Sequence, residues 1–235
     1  MLTIGHTLIK NLLFLDVETV ASEASYEQLD PRLQPLWDKK AQKIRGDSQD
    51  STAALFYQKA AIYAEFGKIV CISFGGIFAN ERGELCLKVR SFANTDEHAL
   101  LLDFKALLEK YPPESLVLCA HNGKEFDFPY ICRRMLIQGI PLPRTLQVAG
   151  KKPWEILHQD TLDLWKFGDY KHFTSLDLLA AVFDIPSSKS LLSGDQVTRV
   201  FYEENGLALI QRYCTEDVVV LAQLYLRLHG QPLLR

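Results

Sequence analysis

Asp16 and Glu18 stand two positions apart at the end of the apolar run Leu12-Leu13-Phe14-Leu15. In a strand, side chains two apart point to one face with Cα atoms roughly 6.5 to 7 Å apart, so both carboxylates can converge on one hard cation. Acids at this spacing are also common on surface strands, and the chain holds 29 acids. Position favours the first reading. The rest of the run is apolar on both faces, as in a central strand covered on either side, and carboxylates there need charge compensation. A second segment, Asn122-Gly123-Lys124-Glu125-Phe126-Asp127, stands where a strand gives way to a helix. Asn122 suits a turn, Phe126 offers an aromatic face and Asp127 can point back to the strand end. An ordinary helix start with acids near the positive end of the dipole accounts for Glu125 and Asp127 as well. A third pair, Tyr213 and Asp217, lies four apart on the apolar stripe of a long C-terminal helix, which aims a phenol and a carboxylate at the core. Taken alone, that pair reads as a Tyr-to-Asp hydrogen bond inside a helix packing.

The elements that must position these groups follow from periodicity. Residues 11–20 form the buried strand that carries Asp16 and Glu18. Residues 21–66 break the pattern with Pro31, Pro35 and Gly46-Asp47-Ser48 before a helix-like stretch over 51–66, an insertion helical in part. Because it leaves and re-enters the sheet next to Asp16 and Glu18, it is expected to wall the channel near them. Residues 68–78 and 84–92 predict a hairpin turning at Asn80 to Gly83, with Leu85, Leu87 and Val89 alternating against polar neighbours. Asn94 with Glu97 resembles a capping box ahead of a helix that stops near Pro112-Pro113. A short strand over 115–120 delivers the Asn122 segment, and the next helix tolerates Pro129 in its first turn and ends near Gly139. Residues 141–173 read as irregular around a short strand near 156–159. Thr174 and Asp177 are expected to cap a helix ended by Pro186, and the last helix spans 207–228. The sum is an α/β chain with a mixed sheet flanked by helices, one domain over 1–235 with an insertion at 21–66.

Composition bounds the function. Hydrophobic residues at 48% and charged residues at 23% describe a globular protein, with no repeats or low-complexity tracts. Five cysteines, odd in number and without a CxxC pair, fit a reducing cytoplasm. The N-terminal apolar run is interrupted by Asp16 and Glu18, which argues against a secretory segment. No stretch approaches the roughly 20 apolar residues of a membrane span. A net charge of −3 argues against binding nucleic acid by sheer positive charge. Two divalent cations on four carboxylates would turn that balance slightly positive and attract phosphate. The six histidines have no zinc spacing, and His121 alone adjoins one of the three segments.

In order and spacing, Asp16-x-Glu18, Asn122-x-x-x-Phe126-Asp127 and Tyr213-x-x-x-Asp217 resemble the motifs of the DEDD exonuclease superfamily in its tyrosine subclass. The stretches FGKIVCIS, HNGKEFDFPYICRR, DLWKFGDYKHFTSLDLLAAVFDIPSSK and SGDQVTRVFYEENGLALIQRYCTEDV look like those of bacterial predicted exonucleases related to the proofreading domain of family B DNA polymerases. The likeness extends over about residues 11–228 and is weakest across 21–66. It implies a ribonuclease H-like fold and 3′-5′ hydrolysis of single-stranded DNA or RNA ends with two Mg²⁺ or Mn²⁺ ions. Asp16 would then bridge both ions, Glu18 and Asp217 would serve the water-activating one, and Asp127 the leaving-group side. Tyr213 would orient the water, and Asn122 and Phe126 would support the terminal nucleotide or shape the turn. Lys124, Lys166, Lys171, His172 and Lys189 would be phosphate contacts, though exposed lysines are ordinary solvated surface as well. Asp160 and Asp163 reach either the site or a turn. With no polymerase region in these residues, proofreading of the chain's own product is not expected. The same resemblance leaves open an exoribonuclease and a catalytically silent binding module of this fold.

Overall fold

Ten consecutive residues, Leu12–Ala21, form strand β1, and only Asp16 among them is not buried. The computed structural model describes residues 11–46, 49–112, 114–169, 173–186 and 192–234. Strand β2 (Gly67–Ala79) pairs antiparallel with β1 on one side, and β3 (Leu85–Ala93) pairs antiparallel with β2. On its other side β1 pairs in parallel with β4 (Val117–Ala120), which pairs in parallel with the short β5 (Gln159–Asp160). The mixed sheet therefore runs β3-β2-β1-β4-β5 with β1 at its centre.

Centrality explains the unbroken apolar character of β1. Leu13, Leu15 and Val17 face a cluster built from helices α3 (Glu97–Leu108) and α4 (Asp127–Ile137), which contribute Leu101, Phe104 and Ile131. On the opposite face Phe14 meets Val218, Leu221 and Tyr225, and Val20 meets Ile210, Tyr213 and Cys214, all from the 22-residue helix α8 (Leu207–Leu228). Each large apolar side chain so buried is worth about 1.5 to 3 kcal/mol. Alternation with period two then leaves no choice for Asp16 and Glu18, which lie between Phe14 and Val20 on the α8 face. Gly75 lets the helix close on the sheet there, since a Cβ at that position would come within 3.3 Å of a Val218 methyl.

The excursion between β1 and β2 holds α1 (Gln34–Ile44) and α2 (Thr52–Lys59), packed around Trp37, Leu55, Phe56 and Phe66. Its neck is tied at both ends. Ser22 N–H donates to Phe66 O at 2.9 Å, while Thr19 Oγ1 and the Tyr130 hydroxyl both donate to Ala61 O, at 2.9 and 2.8 Å. Three further helices are α5 (Thr161–Lys166), α6 (Leu176–Val182) and α7 (Val197–Glu203). No helix among the described residues is long and apolar enough to cross a membrane.

Two caps differ from expectation. Asp96, not Asn94, caps α3, accepting from His98 N and Ala99 N. Glu97 has turned inward, where it accepts Ile69 N–H at 2.7 Å, Gln138 Nε2 at 2.8 Å, and Arg134 Nε and Nη2 at 2.8 and 2.5 Å. A glutamate next to an N-cap scores as a capping partner on local spacing, but a buried arginine 37 residues away outcompetes one exposed N–H. Likewise Ser175 caps α6 by accepting from Leu178 N at 3.3 Å, in place of Thr174 and Asp177. The expected short strand falls at Gln159–Asp160, just beyond the predicted 156–159.

Candidate metal centre

β1 places Asp16 opposite Ser73 and Glu18 opposite Cys71 on β2. Directly afterwards the register shifts, Thr19 pairing with Ile69, so that Val70 is the extra residue of a bulge beside Glu18. Bulges bend the strand and re-aim its side chains, and this one sits where the acids leave the apolar run. α8 crosses the same face with Tyr213, Cys214 and Asp217 turned towards it, and all three are buried. Asp127 arrives from the opposite layer as the first residue of α4, 4% exposed. Ligand atoms of Asp16, Glu18 and Cys214 lie within 4.8 Å of one another.

Electrostatics bind the four carboxylates into one group. Burial raises the Asp16 pKa well above the usual carboxylate value, and Glu18, Asp217 and Asp127 push it further up. Glu18 is raised in the same way, by burial and then by Asp217, the Cys71 thiol and Asp127. Asp127 is pushed up to about 7, chiefly by burial, with the Asp127 and Val17 backbone N–H groups pulling against it and Asp160 adding to it. The Tyr213 phenol is raised by burial and by the acids around it, and it hydrogen-bonds Asp217. That bond is the one the i, i+4 spacing allows. Burial likewise raises the Cys214 thiol, which donates to the Asp16 backbone carbonyl at 3.4 Å.

One oxygen stands out: Asp16 Oδ2 is buried and accepts no hydrogen bond. The groups acting on Asp16 through their charge are all acids. A buried carboxylate oxygen without a donor, among like charges, costs several kcal/mol at neutral pH unless a cation compensates it. Apart from the Cys214 thiol the donors of this group are carboxylate oxygens, which suit Mg²⁺ or Mn²⁺. On both counts the residues present fit divalent cations.

The loop that delivers Asp127 is held from below. Asp160, at the end of β5, accepts Asn122 N–H at 2.8 Å, Lys124 N–H at 3.0 Å and Leu162 N–H at 2.9 Å. It serves the turn, one of the two readings open for it in the sequence, and it also acts on Asp127 through its charge. Asn122 takes the left-handed conformation, φ 61°, that asparagine tolerates better than most residues. Gly123 is required next to it, because a Cβ there would sit 2.3 Å from the Ala120 Cβ. Phe126 is half-buried, its ring 5.2 Å from that of Tyr130. Lys124 and Lys166 lie on this side of the molecule, both near Asp163, whereas Lys171, His172 and Lys189 lie outside the described residues. Cys214 was not among the residues expected at the site, although it neighbours Tyr213 on the same stripe, and the groups that Asp160 holds lie across 38 residues.

Comparison with known proteins agrees with this architecture. Residues 62–231 match the model of a family described as "Predicted 3′-5′ exonuclease related to the exonuclease domain of PolB". That stretch contains Asp127, Tyr213 and Asp217 but begins after β1, so it is the fold that adds Asp16 and Glu18. A segment of 45 residues is 42% identical to DNA polymerase 1 of Aeropyrum pernix, spanning 19% of this chain and 4% of that protein. The fold is similar to the structure of the family B DNA polymerase from the hyperthermophilic archaeon Pyrobaculum calidifontis, with a TM-score of 0.56 and 15% identity over 92% of this chain and 24% of the polymerase. The chain thus spans less than a quarter of either polymerase.

Proposed function

Because the chain belongs to the family of predicted 3′-5′ exonucleases related to the exonuclease domain of PolB, we propose that it is a divalent-metal-dependent 3′-5′ exonuclease of the tyrosine subclass. Its substrate is the 3′ end of a single-stranded nucleic acid, DNA in the first instance, and its products are nucleoside 5′-monophosphates. The observation that carries this reading is the unpartnered, buried Asp16 Oδ2 among acids contributed by three separate elements.

In this reading Asp16, Glu18, Asp127 and Asp217 would hold two Mg²⁺ or Mn²⁺ ions, which when bound would neutralise the developing charge and lower the pKa of the attacking water. The chain's own residues supply position. The Tyr213 hydroxyl, held beside Asp217, orients the water for in-line attack on phosphorus. A phenol raised above its ordinary value is a poor base, so it directs the water and does not take its proton. Water oxygen bonds to phosphorus, the bond to the 3′ oxygen of the preceding nucleotide breaks, and that nucleotide keeps a 3′-hydroxyl. Asn122 and Phe126, rigid on the clamped loop, border the space for the terminal nucleotide. The insertion, pinned through Ala61 to Thr19 next to Glu18, walls the same space.

The test is digestion of 5′-labelled single strands of DNA and RNA by the purified chain with Mn²⁺. A descending ladder that needs the metal and is stopped by a 3′-phosphate is expected. A single internal cut, or a ladder indifferent to the 3′-phosphate, contradicts the polarity. A ladder on RNA alone reassigns the substrate. Binding without any cleavage would make the chain a silent module of this fold.

A further inference from the structure

Beside the loop that delivers Asp127 lie two aromatic rings for which stability offers no reason. Phe167 is 89% exposed and Phe173 67% exposed. Phe167 ends α5 in the left-handed conformation, φ 45°. For a residue with a Cβ that conformation costs roughly 1 to 2 kcal/mol, and an exposed ring recovers none of it through burial. Both rings are tied to the candidate site. His121, which opens the Asn122 loop, bonds Thr161 Oγ1 and Thr174 O, each at 2.8 Å, and its ring lies 6.5 Å from that of Phe173. Thr161 is the first residue of α5, so Phe167 emerges roughly 9 Å further along that helix. Between the loop and α5, the ammonium groups of Lys124 and Lys166 lie 3.1 and 3.9 Å from the single carboxylate of Asp163. Both lysines stand beside the rings, with Asp160 beneath the same loop.

We propose that Phe167 and Phe173, with Lys124 and Lys166, form the surface on which the single strand lies as it leaves the candidate site, the bases upstream of the terminal nucleotide stacking on the two rings. This inference rests on the exonuclease reading. Exposed aromatic faces interleaved with lysines are what a strand needs when its sequence is not read, since every base has a stacking face and every linkage a charge. The surface is continuous with the site through His121. A protein partner would also accept exposed rings, but two lysines beside them favour a polyanion.

The experiment compares wild type, Phe167→Asn and Phe173→Ala on two substrates, the p-nitrophenyl ester of thymidine 5′-monophosphate, which has no upstream base, and a (dT)12 single strand. Asparagine tolerates the left-handed conformation, so Phe167→Asn is expected to melt no lower than wild type. Each variant should raise KM for (dT)12 by about 5- to 150-fold, the range for loss of one stacked base, with kcat nearly unchanged. Turnover of the ester should not move. Equal KM values for variants and wild type on (dT)12 overturn the inference, as does a rise in KM confined to proteins that have lost melting temperature. If wild type cleaves neither substrate, the exonuclease reading fails and this inference with it. Wild type active on both with unaffected variants condemns the stacking surface alone.

Discussion

Glu97 and Asp16 are both carboxylates drawn into the interior against the same sheet, yet they meet different company. Glu97 is paired with Arg134 through two hydrogen bonds and receives two more donors, Ile69 N–H and Gln138 Nε2. Asp160 is supplied in kind, with three backbone N–H groups. Asp16 has a buried oxygen with no donor, and Glu18, Asp217 and Asp127 act on it as like charges. Where an acid serves the fold, the chain provides its partners. Asp16 Oδ2 has no donor, and on the proposed reading the charge that compensates it is that of bound cations.

The largest effect expected from breaking the contrast is catalytic. Asp16→Asn or Asp217→Ala removes a charge that the cations need and no apolar contact, so cleavage should fall by at least about 10³-fold, or roughly 4 kcal/mol of barrier. Far-ultraviolet circular dichroism should stay as in wild type. Full turnover by either variant ends the assignment of these residues to a metal site. On the other side of the comparison the loss should be structural. Arg134→Met leaves Glu97 buried and unpaired, at a cost of about 3 to 5 kcal/mol, whereas Glu97→Met with Arg134→Met should recover most of it. Urea unfolding measures both, and activity per folded molecule should be unchanged. An Arg134→Met protein as stable as wild type would show that the pair is not what holds α3 to α4.

How much of this could be read in the sequence depended on the range of the interaction. Strand β1 and helix α8 declare themselves by local periodicity, and α8 runs over Leu207–Leu228 as the apolar stripe predicts. The mixed sheet follows from a hairpin succeeded by a helix and a strand. The acids of the candidate site could be singled out because their spacing conflicts with their surroundings: Asp16 and Glu18 interrupt a run that is buried on both faces. The partners of the structural acids could not. Glu97 stands at a helix start, where capping and a distant ion pair leave the same local signature, and only the fold brings Arg134 to it. Asp160 gave two readings for the same reason. Thr174 and Ser175 are neighbours with the same capping chemistry, and backbone direction alone chose between them.

A smaller effect should sharpen the role of Tyr213. Tyr213→Phe keeps the ring in its cluster with Val20 and Cys214 and removes the hydroxyl beside Asp217. Misplacing the water without losing its activation should slow single-turnover cleavage by about 10- to 10³-fold, or 1.4 to 4 kcal/mol. Binding of the strand should be nearly unaffected. A variant as fast as wild type makes the tyrosine structural. One as slow as Asp217→Ala places it on a par with the carboxylates.

The smallest expected effect is thermodynamic and concerns the protein without metal. Asp127 has a folded pKa of about 7 against an ordinary value of 3.8, and Asp16 and Glu18 are raised as well. For a carboxylate whose folded pKa is raised, the native state holds its proton more tightly than the unfolded chain does. Its contribution to stability is therefore complete below the unfolded pKa and is lost as pH rises through the folded one. For Asp127 the window runs from about pH 4 to about pH 7, with the raised values of Asp16 and Glu18 acting in the same direction. Metal-free protein should accordingly melt a few degrees higher at pH 6 than at pH 8, given that 1 kcal/mol shifts a domain of this size by roughly 2 to 4 °C. Mg²⁺ or Mn²⁺ binds the deprotonated group and should reverse the order, adding about 2.7 kcal/mol at a hundredfold excess over Kd. Asp16→Asn should flatten the metal-free slope, because it removes one of the crowded charges. Glu97→Met with Arg134→Met should leave that slope as it is, whatever it does to the melting temperature. Calorimetric scans of the three proteins at both pH values, with and without Mn²⁺, make the comparison. A metal-free melting temperature that falls between pH 8 and pH 6, or a difference that Mn²⁺ leaves untouched, would mean that the four acids are not a compensated cluster but separate buried groups.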